Sequence, residues 1–394
     1  MLTLPSVHPF LMTLLMEGQT EKVQLTVFPH HSWKTIIEEA IAQRVAAILF
    51  RWLNHADHQH LIPFPLWNLL KQQIVRQTAW NLLLTEQLEH ILAACQQQGI
   101  ACIPIRGPVL AEQLYGDASM RQMDDLDLLV NRKDLSAITE IFHQLDYCQH
   151  EQHQGFLEEF SYSLEFVHPG HGTIIEPHWT LVYPPFVGTT DMAPIWARAV
   201  RRRFRDVDTW ALSKADLLLH LCLHLLHKGA GSPLLWYHEL DTLIRQEQSS
   251  LDWNTFAHQT ERMGQTGLVA EILTTVIQHF HSPIPDQIMG RLLRPSLLSP
   301  SLVPHPIRER LLIQPSLNGR EEFALLCSLQ GLRPKIQYAY ALLFPSPCYM
   351  VRRYGLSSPM GLISSYITRA CRLCWEGSKW AAAWLVAALA TRQA

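Results

Sequence analysis

Two carboxylates one residue apart, Asp125 and Asp127, sit in the apolar run DLDLLV. That run closes the stretch CIPIRGPVLAEQLYGDASMRQMDDLDLLV, residues 102–130. Side chains alternate across a strand, so the two acids share one face and Leu126 and Leu128 share the other. Asp124, at the start of the strand, points with Leu126 and suits a cap or turn. Like charges held this close repel each other, and burial in an apolar strand adds to the penalty. A divalent cation between them relieves both effects. Mg²⁺ is typically held by one or two carboxylates together with water and substrate phosphates. A third acid, Glu176 in TIIEPHW, lies in another apolar strand able to pair with the first. Three carboxylates facing one cleft suit one- or two-metal phosphoryl or nucleotidyl transfer. Asp125, Asp127 and Glu176 are then both the metal ligands and the catalytic residues.

The residues upstream supply the anion-binding half. Arg106-Gly107 ends an apolar strand and opens a helix. Glycine allows close approach of backbone to a ligand, and a helix N-terminus attracts phosphate. Arg106 and Arg121 offer guanidinium groups to a triphosphate. His178 stands two residues after Glu176, on the same strand face. It either orients Glu176 or a phosphate, or is a satisfied core histidine. His220, His224 and His227 recur at i, i+4 and i+7 on one helix. They could share a metal, but no H-E-x-x-H is present, and a polar stripe lining a cleft is the simpler reading. In that position His224 and Lys228 reach nucleotide or acceptor. Asp241 reads as a further cleft acid or, more simply, as one end of a helix–helix hydrogen bond.

The elements that must position these groups follow from hydrophobic periodicity. Residues 1–97 read as a helical region, with SWKTIIEEAIAQRVAAILFRWLNH as one helix and PLWNLLKQQIVRQTAWNLLLTEQLEHILAACQQQG as another. Residues 98–210 alternate strand, helix, strand, helix, strand, strand, which predicts a small mixed sheet with helices on one face. The strands SYSLEFVHP and GTIIEPHWTLV are joined by a hairpin-type turn at HPGHG. Residues 211–394 are helical again, beginning with SKADLLLHLCLHLLHKG, which has a Ser N-cap and a Gly stop. Pro-rich links near 283–316 precede two more helical stretches. The fold class is α+β, a small mixed-sheet core inserted between N-terminal and C-terminal helical regions.

Composition limits the function classes. A chain of 394 residues carries ample core, and a net charge of −3 excludes a molecule that binds nucleic acid by overall charge. The start of the chain lacks the basic flank of a signal peptide, and scattered cysteines suit a reduced, cytoplasmic setting. The charge is uneven, however. Residues 331–394 hold eight Lys/Arg and one acid, Glu376, interleaved with Trp375, Trp380 and Trp384. That basic region either packs on the acidic remainder or meets a membrane surface or an acidic protein. The apolar run WAAAWLVAALA, residues 380–390, is too short to span a bilayer. Arg198, Arg201, Arg202, Arg203 and Arg205 form a second basic run. It reads as a solvated linker face or a receiver for an anionic acceptor. A single C-x-x-C, Cys371 and Cys374, lacks the second pair that structural zinc requires.

The ordered set of motifs resembles the polymerase-β-type nucleotidyltransferase superfamily. More closely, it resembles a bacterial branch described as uncharacterised nucleotidyltransferases. The resemblance rests on Arg106-Gly107, Leu114-Tyr115, Arg121 and the run Asp125 to Val130. It extends through Glu176-Pro177-His178-Trp179, Leu218 to His224, Trp236 and Asp241. It ends with Phe344-Pro345-Ser346 and Arg353-Tyr354-Gly355, so it covers about residues 100–360. Three departures stand out. Gly107 is followed by proline where the superfamily has serine, Arg106 replaces the branch's lysine, and the third acid is glutamate rather than aspartate.

The resemblance implies Mg²⁺-dependent transfer of a nucleoside monophosphate from an NTP to a hydroxyl of a small-molecule, peptide or protein acceptor, with Mn²⁺ as a substitute metal. Asp125, Asp127 and Glu176 would hold the metal. Arg106, Gly107, Arg121, His178 and His224 would bind the nucleotide. Nucleic acid is disfavoured as acceptor by the near-neutral charge. The alternative is a catalytically inactive NTP-binding scaffold that docks a membrane or biosynthetic partner through the C-terminal region. The expected location is cytoplasmic, peripheral to a membrane in that second case.

Overall fold

Apolar residues at three- and four-residue spacing build four helices before the first strand: α1 (Pro9–Met16), α2 (His30–Ala42), α3 (Ala46–His55) and the long α4 (Phe64–Gln97). The computed structural model describes residues 4–16, 30–55, 58–149, 161–182, 191–229, 231–294, 331–355 and 359–390, with residues 326 and 329. The single helix expected over residues 32–55 is two. Arg44 adopts a left-handed backbone, φ 61°, and Val45 N–H closes the turn onto the Ala40 carbonyl. The break has two uses in the fold. It turns the Arg44 guanidinium to 2.5 Å from Asp124, and it lets Gln43 accept from the Leu234 amide at the start of a later helix.

The mixed sheet contains β1 (Cys102–Pro104), β2 (Leu126–Val130), β3 (Cys148–Gln149), β4 (Phe166–Val167) and β5 (Ile174–His178), in the order β1-β2-β5-β4-β3. β2 and β5 run parallel, and the other neighbours are antiparallel. Helices α5 (Gly107–Tyr115) and α6 (Leu135–Gln144) connect β1 to β2 and β2 to β3. The expected strand SYSLEFVHP narrows to β4 and one isolated bridge, Ser163 to His178.

Strand alternation divides the core in two. Leu126, Leu128 and Val130 of β2 share a cluster with Leu88 and Leu92 of α4 and Phe142 of α6. Leu129 faces the other way, into a larger cluster that joins α1–α3 to the helices beyond residue 211. Asp127 lies on the Leu129 side. The site is thus pressed between the sheet and the second helical layer.

The basic run at residues 198–205 is not a linker. Most of it forms β6 (Val200–Phe204), paired with β7 (Val207–Ala211) after a short helix α7 (Ala193–Arg198). Phe204 and Val207 bury into the smaller cluster, and Thr209 Oγ1 donates to the Cys102 carbonyl. The arginines are engaged one by one. Arg198 forks onto Asp216, Arg201 covers the Trp210 ring, Arg202 donates to Gln113 and Arg205 pairs with Glu89.

The second layer consists of α8 (Lys214–Lys228), α9 (Leu234–Gln246), α10 (Trp253–Arg262), α11 (Thr266–Phe280) and α12 (Asp286–Leu292). Ser213 caps α8 by accepting from the Asp216 amide. Gly264, at φ +64°, separates α10 from α11. The helix α12 stands where a Pro-rich link was expected. The remainder of that link, residues 295–316, lies outside the described residues. Three further helices follow: α13 (Leu332–Leu343), α14 (Pro347–Tyr354) and α15 (Pro359–Ala390). They pack through Tyr338, through the Tyr366 hydroxyl on the Pro345 carbonyl and through Arg369 on the Leu342 carbonyl. Among the described residues, no helix is long and apolar enough to cross a membrane.

Candidate metal and nucleotide site

The parallel pairing of β2 and β5 sets Asp127 directly opposite Glu176, and Leu129 opposite His178. Period-two alternation then brings Glu176 and His178 to the face that carries Asp127. His178 Nε2 lies 2.9 Å from Asp127 Oδ1 and 3.6 Å from Glu176 Oε2. One ligand atom from each of Asp127, Glu176 and His178 falls within 4.8 Å of the other two. Asp125 is just outside that trio, one residue before β2, with its carboxyl half-buried beside Asp127.

Electrostatics separate the acids. Asp127 is buried, which pushes its carboxyl up, but the Arg106 guanidinium and the hydrogen bond from His178 outweigh burial and hold it well below the usual range. Asp125 is raised by the Asp127 charge and by burial. Glu176 is raised to about 7, chiefly by burial and further by Asp127 and Asp125, against the opposing pull of His178 and Arg106. Two of the three acids are thus disfavoured as anions in the folded chain, Asp125 chiefly by the neighbouring charge and Glu176 chiefly by burial. Two carboxylates and an imidazole form a donor set that fits a divalent cation. The carboxylates suit Mg²⁺ or Mn²⁺, and the imidazole nitrogen is a donor also used by softer first-row metals.

Arg106 caps the start of α5. Its Nη2 lies 2.6 Å from Asp127 Oδ2 and its Nη1 2.7 Å from His224 Nε2. His224 is fully buried. Burial and the adjacent Arg106 charge keep it neutral, free to accept from the guanidinium. Trp236 lies edge-on to the His224 ring at 4.5 Å. His220 is also fully buried, one turn away, and its pKa is depressed by burial and Arg106. His227 contacts the Tyr162 hydroxyl, and the Tyr162 ring lies against His178. The histidine stripe of α8 therefore packs against the site, with His220 and His224 buried and neutral beside Arg106.

Gly107 follows with φ +66°, a conformation that side chains resist. A Cβ added there would meet Leu126 Cδ2 at 3.7 Å, an ordinary contact, so the penalty of substitution is in the backbone. Gly107→Ala is expected to destabilise by about 1–2 kcal/mol. Urea denaturation measures this, and a variant as stable as the wild type would show that the turn relaxes.

Two expected residues have other partners. Arg121 is buried and its Nε donates to Glu239 of α9 at 2.7 Å, while Asn81 of α4 holds its carbonyl. Arg121 acts on the site as a buried charge near Asp125. Asp241 accepts from Ser282 and Arg245. Glu239 and Trp236 escaped the sequence reading in these roles. A lone acid and a lone tryptophan on a helix carry no signal of their partners, Arg121 more than a hundred residues away and His224 on the preceding helix.

The sequence matches the family described as uncharacterised nucleotidyltransferase over residues 29–281. The match begins one residue before α2 and ends just beyond α11, so it takes in the site and most of the helices around it, α1 and α12 excepted. The Phe344-Ser346 and Arg353-Gly355 motifs fall outside it. No curated protein matches the chain. Among solved structures, the crystal structure of an antigenic nucleotidyltransferase-like protein from Paracoccidioides brasiliensis is similar over 54% of this chain and 91% of that chain, at 13% identity and a TM-score of 0.30.

Proposed function

The chain belongs to the uncharacterised nucleotidyltransferase family, and from that premise we propose that it transfers a nucleoside monophosphate from an NTP to an acceptor hydroxyl, using Mg²⁺ or Mn²⁺. The observation that carries this reading is the convergence of Asp127, Glu176 and His178 on one sheet face, next to the Arg106-Gly107 turn. Asp125, Asp127, Glu176 and His178 would hold the cation. Once bound, it would neutralise the acids, charge-stabilise the triphosphate and activate the incoming hydroxyl.

The remaining roles belong to the chain itself. Arg106 moves its guanidinium from Asp127 to the phosphates, and the neutral His224 and the edge of Trp236 set the direction it can take. The Gly107 backbone and the α5 N-terminus complete the phosphate cradle. Glu176 serves as ligand or as base toward the acceptor proton. Glu176 faces Asp127 across the β2–β5 pairing and is only partly buried, which leaves it open to an acceptor. Arg121, tied to Glu239, supports the turn before β2 and contributes charge.

Pyrophosphate release tests the proposal. The purified chain is incubated with each NTP and with Mg²⁺ or Mn²⁺, alone and with a cell extract as acceptor source, beside Asp125→Asn/Asp127→Asn. The expected result is metal-dependent release that the double variant loses. No release under any condition, with NTP bound equally by both proteins, would overturn the enzymatic reading in favour of an NTP-binding scaffold.

A further inference from the structure

Helix α15 buries one side and leaves another bare. Arg369 packs inward, donating to the Leu342 carbonyl and lying over the Tyr349 ring. On the outward side, Met360, Ile363, Ile367 and Trp375 recur at helical spacing, and each is more than half exposed. Cys371 and Cys374, also exposed, continue the same stripe. Helix α13 repeats the pattern, with Leu332, Ile336 and Tyr340 four residues apart and each more than half exposed. Apolar stripes of this kind on two helices of one unit require a covering surface.

The charges indicate which surface. Residues 331–394 carry eight Lys/Arg against the single acid Glu376. Glu376 is already paired with Lys379, which also lies 5.2 Å from the Trp375 ring. Arg333 and Arg372 are exposed next to the apolar stripes. A partner must therefore be apolar and anionic at once. Tryptophan and tyrosine at the edge of such a stripe suit the level of lipid headgroups, and long basic side chains reach from an apolar bed to phosphate. Because no described helix can cross a bilayer, a helix of this kind lies along the membrane.

We propose that α13 and α15 form a docking surface for an anionic lipid bilayer, with the apolar stripes among the acyl chains and Arg333 and Arg372 on lipid phosphates. Trp380, Trp384, Arg352, Arg353 and Arg392 belong to the same segment, but their side chains lie outside the described residues.

The full chain is tested by flotation with phosphatidylcholine vesicles, with and without phosphatidylglycerol. Binding is expected to the phosphatidylglycerol vesicles and to weaken as salt is raised. Ile363→Asn/Ile367→Asn should reduce partitioning by at least about tenfold. Arg333→Gln/Arg372→Gln should reduce it roughly thirtyfold, about fivefold for each charge near an anionic surface. All four substitutions are at exposed positions, so circular dichroism should be unchanged. Failure to float with either vesicle would overturn the proposal. So would binding that neither pair of substitutions alters. Self-association of the full chain in sedimentation velocity, abolished by Ile363→Asn/Ile367→Asn and with no vesicle binding, would assign the face to contact between copies instead. Pyrophosphate release is independent of this result, so the two readings fail separately.

Discussion

Asp127→Ala should destabilise the metal-free protein by about 3–5 kcal/mol, whereas Asp125→Ala should leave it within about 1 kcal/mol of wild type or make it more stable. The two acids are one residue apart, Asp127 within β2 and Asp125 just before it, and their neighbours differ. Asp127 pairs with Arg106, whose side chain is 11% exposed, and accepts from the buried His178. Its removal strands a buried guanidinium. Asp125 has Asp127 as its dominant neighbour and is raised by it. Its removal relieves a repulsion. Both substitutions should nonetheless abolish metal-dependent pyrophosphate release. Urea midpoints in a chelator, read beside the release assay, separate the structural role from the chemical one. Equal losses of stability in the two variants would contradict the pairing of Arg106 with Asp127.

The second large effect concerns Glu176 and has the opposite sign. Its carboxyl is raised from an ordinary 4.5 to about 7 in the folded chain. Below about 4.5 it is protonated whether the chain is folded or unfolded, and it contributes nothing to pH dependence. Between those values the unfolded chain has lost the proton and the folded chain still holds it, so stability falls as pH rises. Above about 7 the folded protein bears the whole penalty. Glu176→Gln removes the charge and should therefore stabilise the metal-free protein by about 2–3 kcal/mol near pH 8, an allowance that includes partial solvent screening of the side chain. The gain should shrink to nothing toward pH 4. Saturating Mn²⁺ should reverse the order, because binding stabilises only the form that holds the ligand. Thermal melts of both proteins across pH, with and without Mn²⁺, check this. Parallel pH curves in the chelator would refute the shift, and equal Mn²⁺ stabilisation would remove Glu176 from the ligand set.

Both predictions depend on a convergence that no local pattern contains. The alternation of DLDLLV did place Asp127 opposite Leu126 and Leu128, because period-two geometry belongs to any strand, whereas Asp125 stands just before the strand. The apolar setting of Glu176 marked it as a residue in need of a partner, and helical spacing located α4, α8 and α9. The continuous helix expected across Gln43 and Arg44 failed because a left-handed residue in a good helical sequence answers to tertiary partners, here Asp124 and the start of α9. The arginines at 198–205 read as a solvated linker because alternation is hidden when both faces carry charge; Arg201, Arg203 and Arg205 are exposed as read, but the segment is a strand. Their neighbours Asp216, Gln113 and Glu89 lie on other elements.

Residue types and their local spacing thus determined the helix-rich α+β composition, the strand that carries Asp127 with Asp125 just before it, and the glycine turn upstream. These are consequences of backbone geometry over a few residues. Tertiary structure alone decided the register that sets Asp127 opposite Glu176. It also decided the entry of His178 into the ligand set, the hold of Arg106 on Asp127 and His224, and the burial of Arg121 against Glu239. Each of these joins groups between 49 and 118 residues apart, except for the 21-residue link from Arg106 to Asp127. The electrostatic character of such groups is set by desolvation and by the charges brought beside them on folding. Neither quantity exists until the chain has packed.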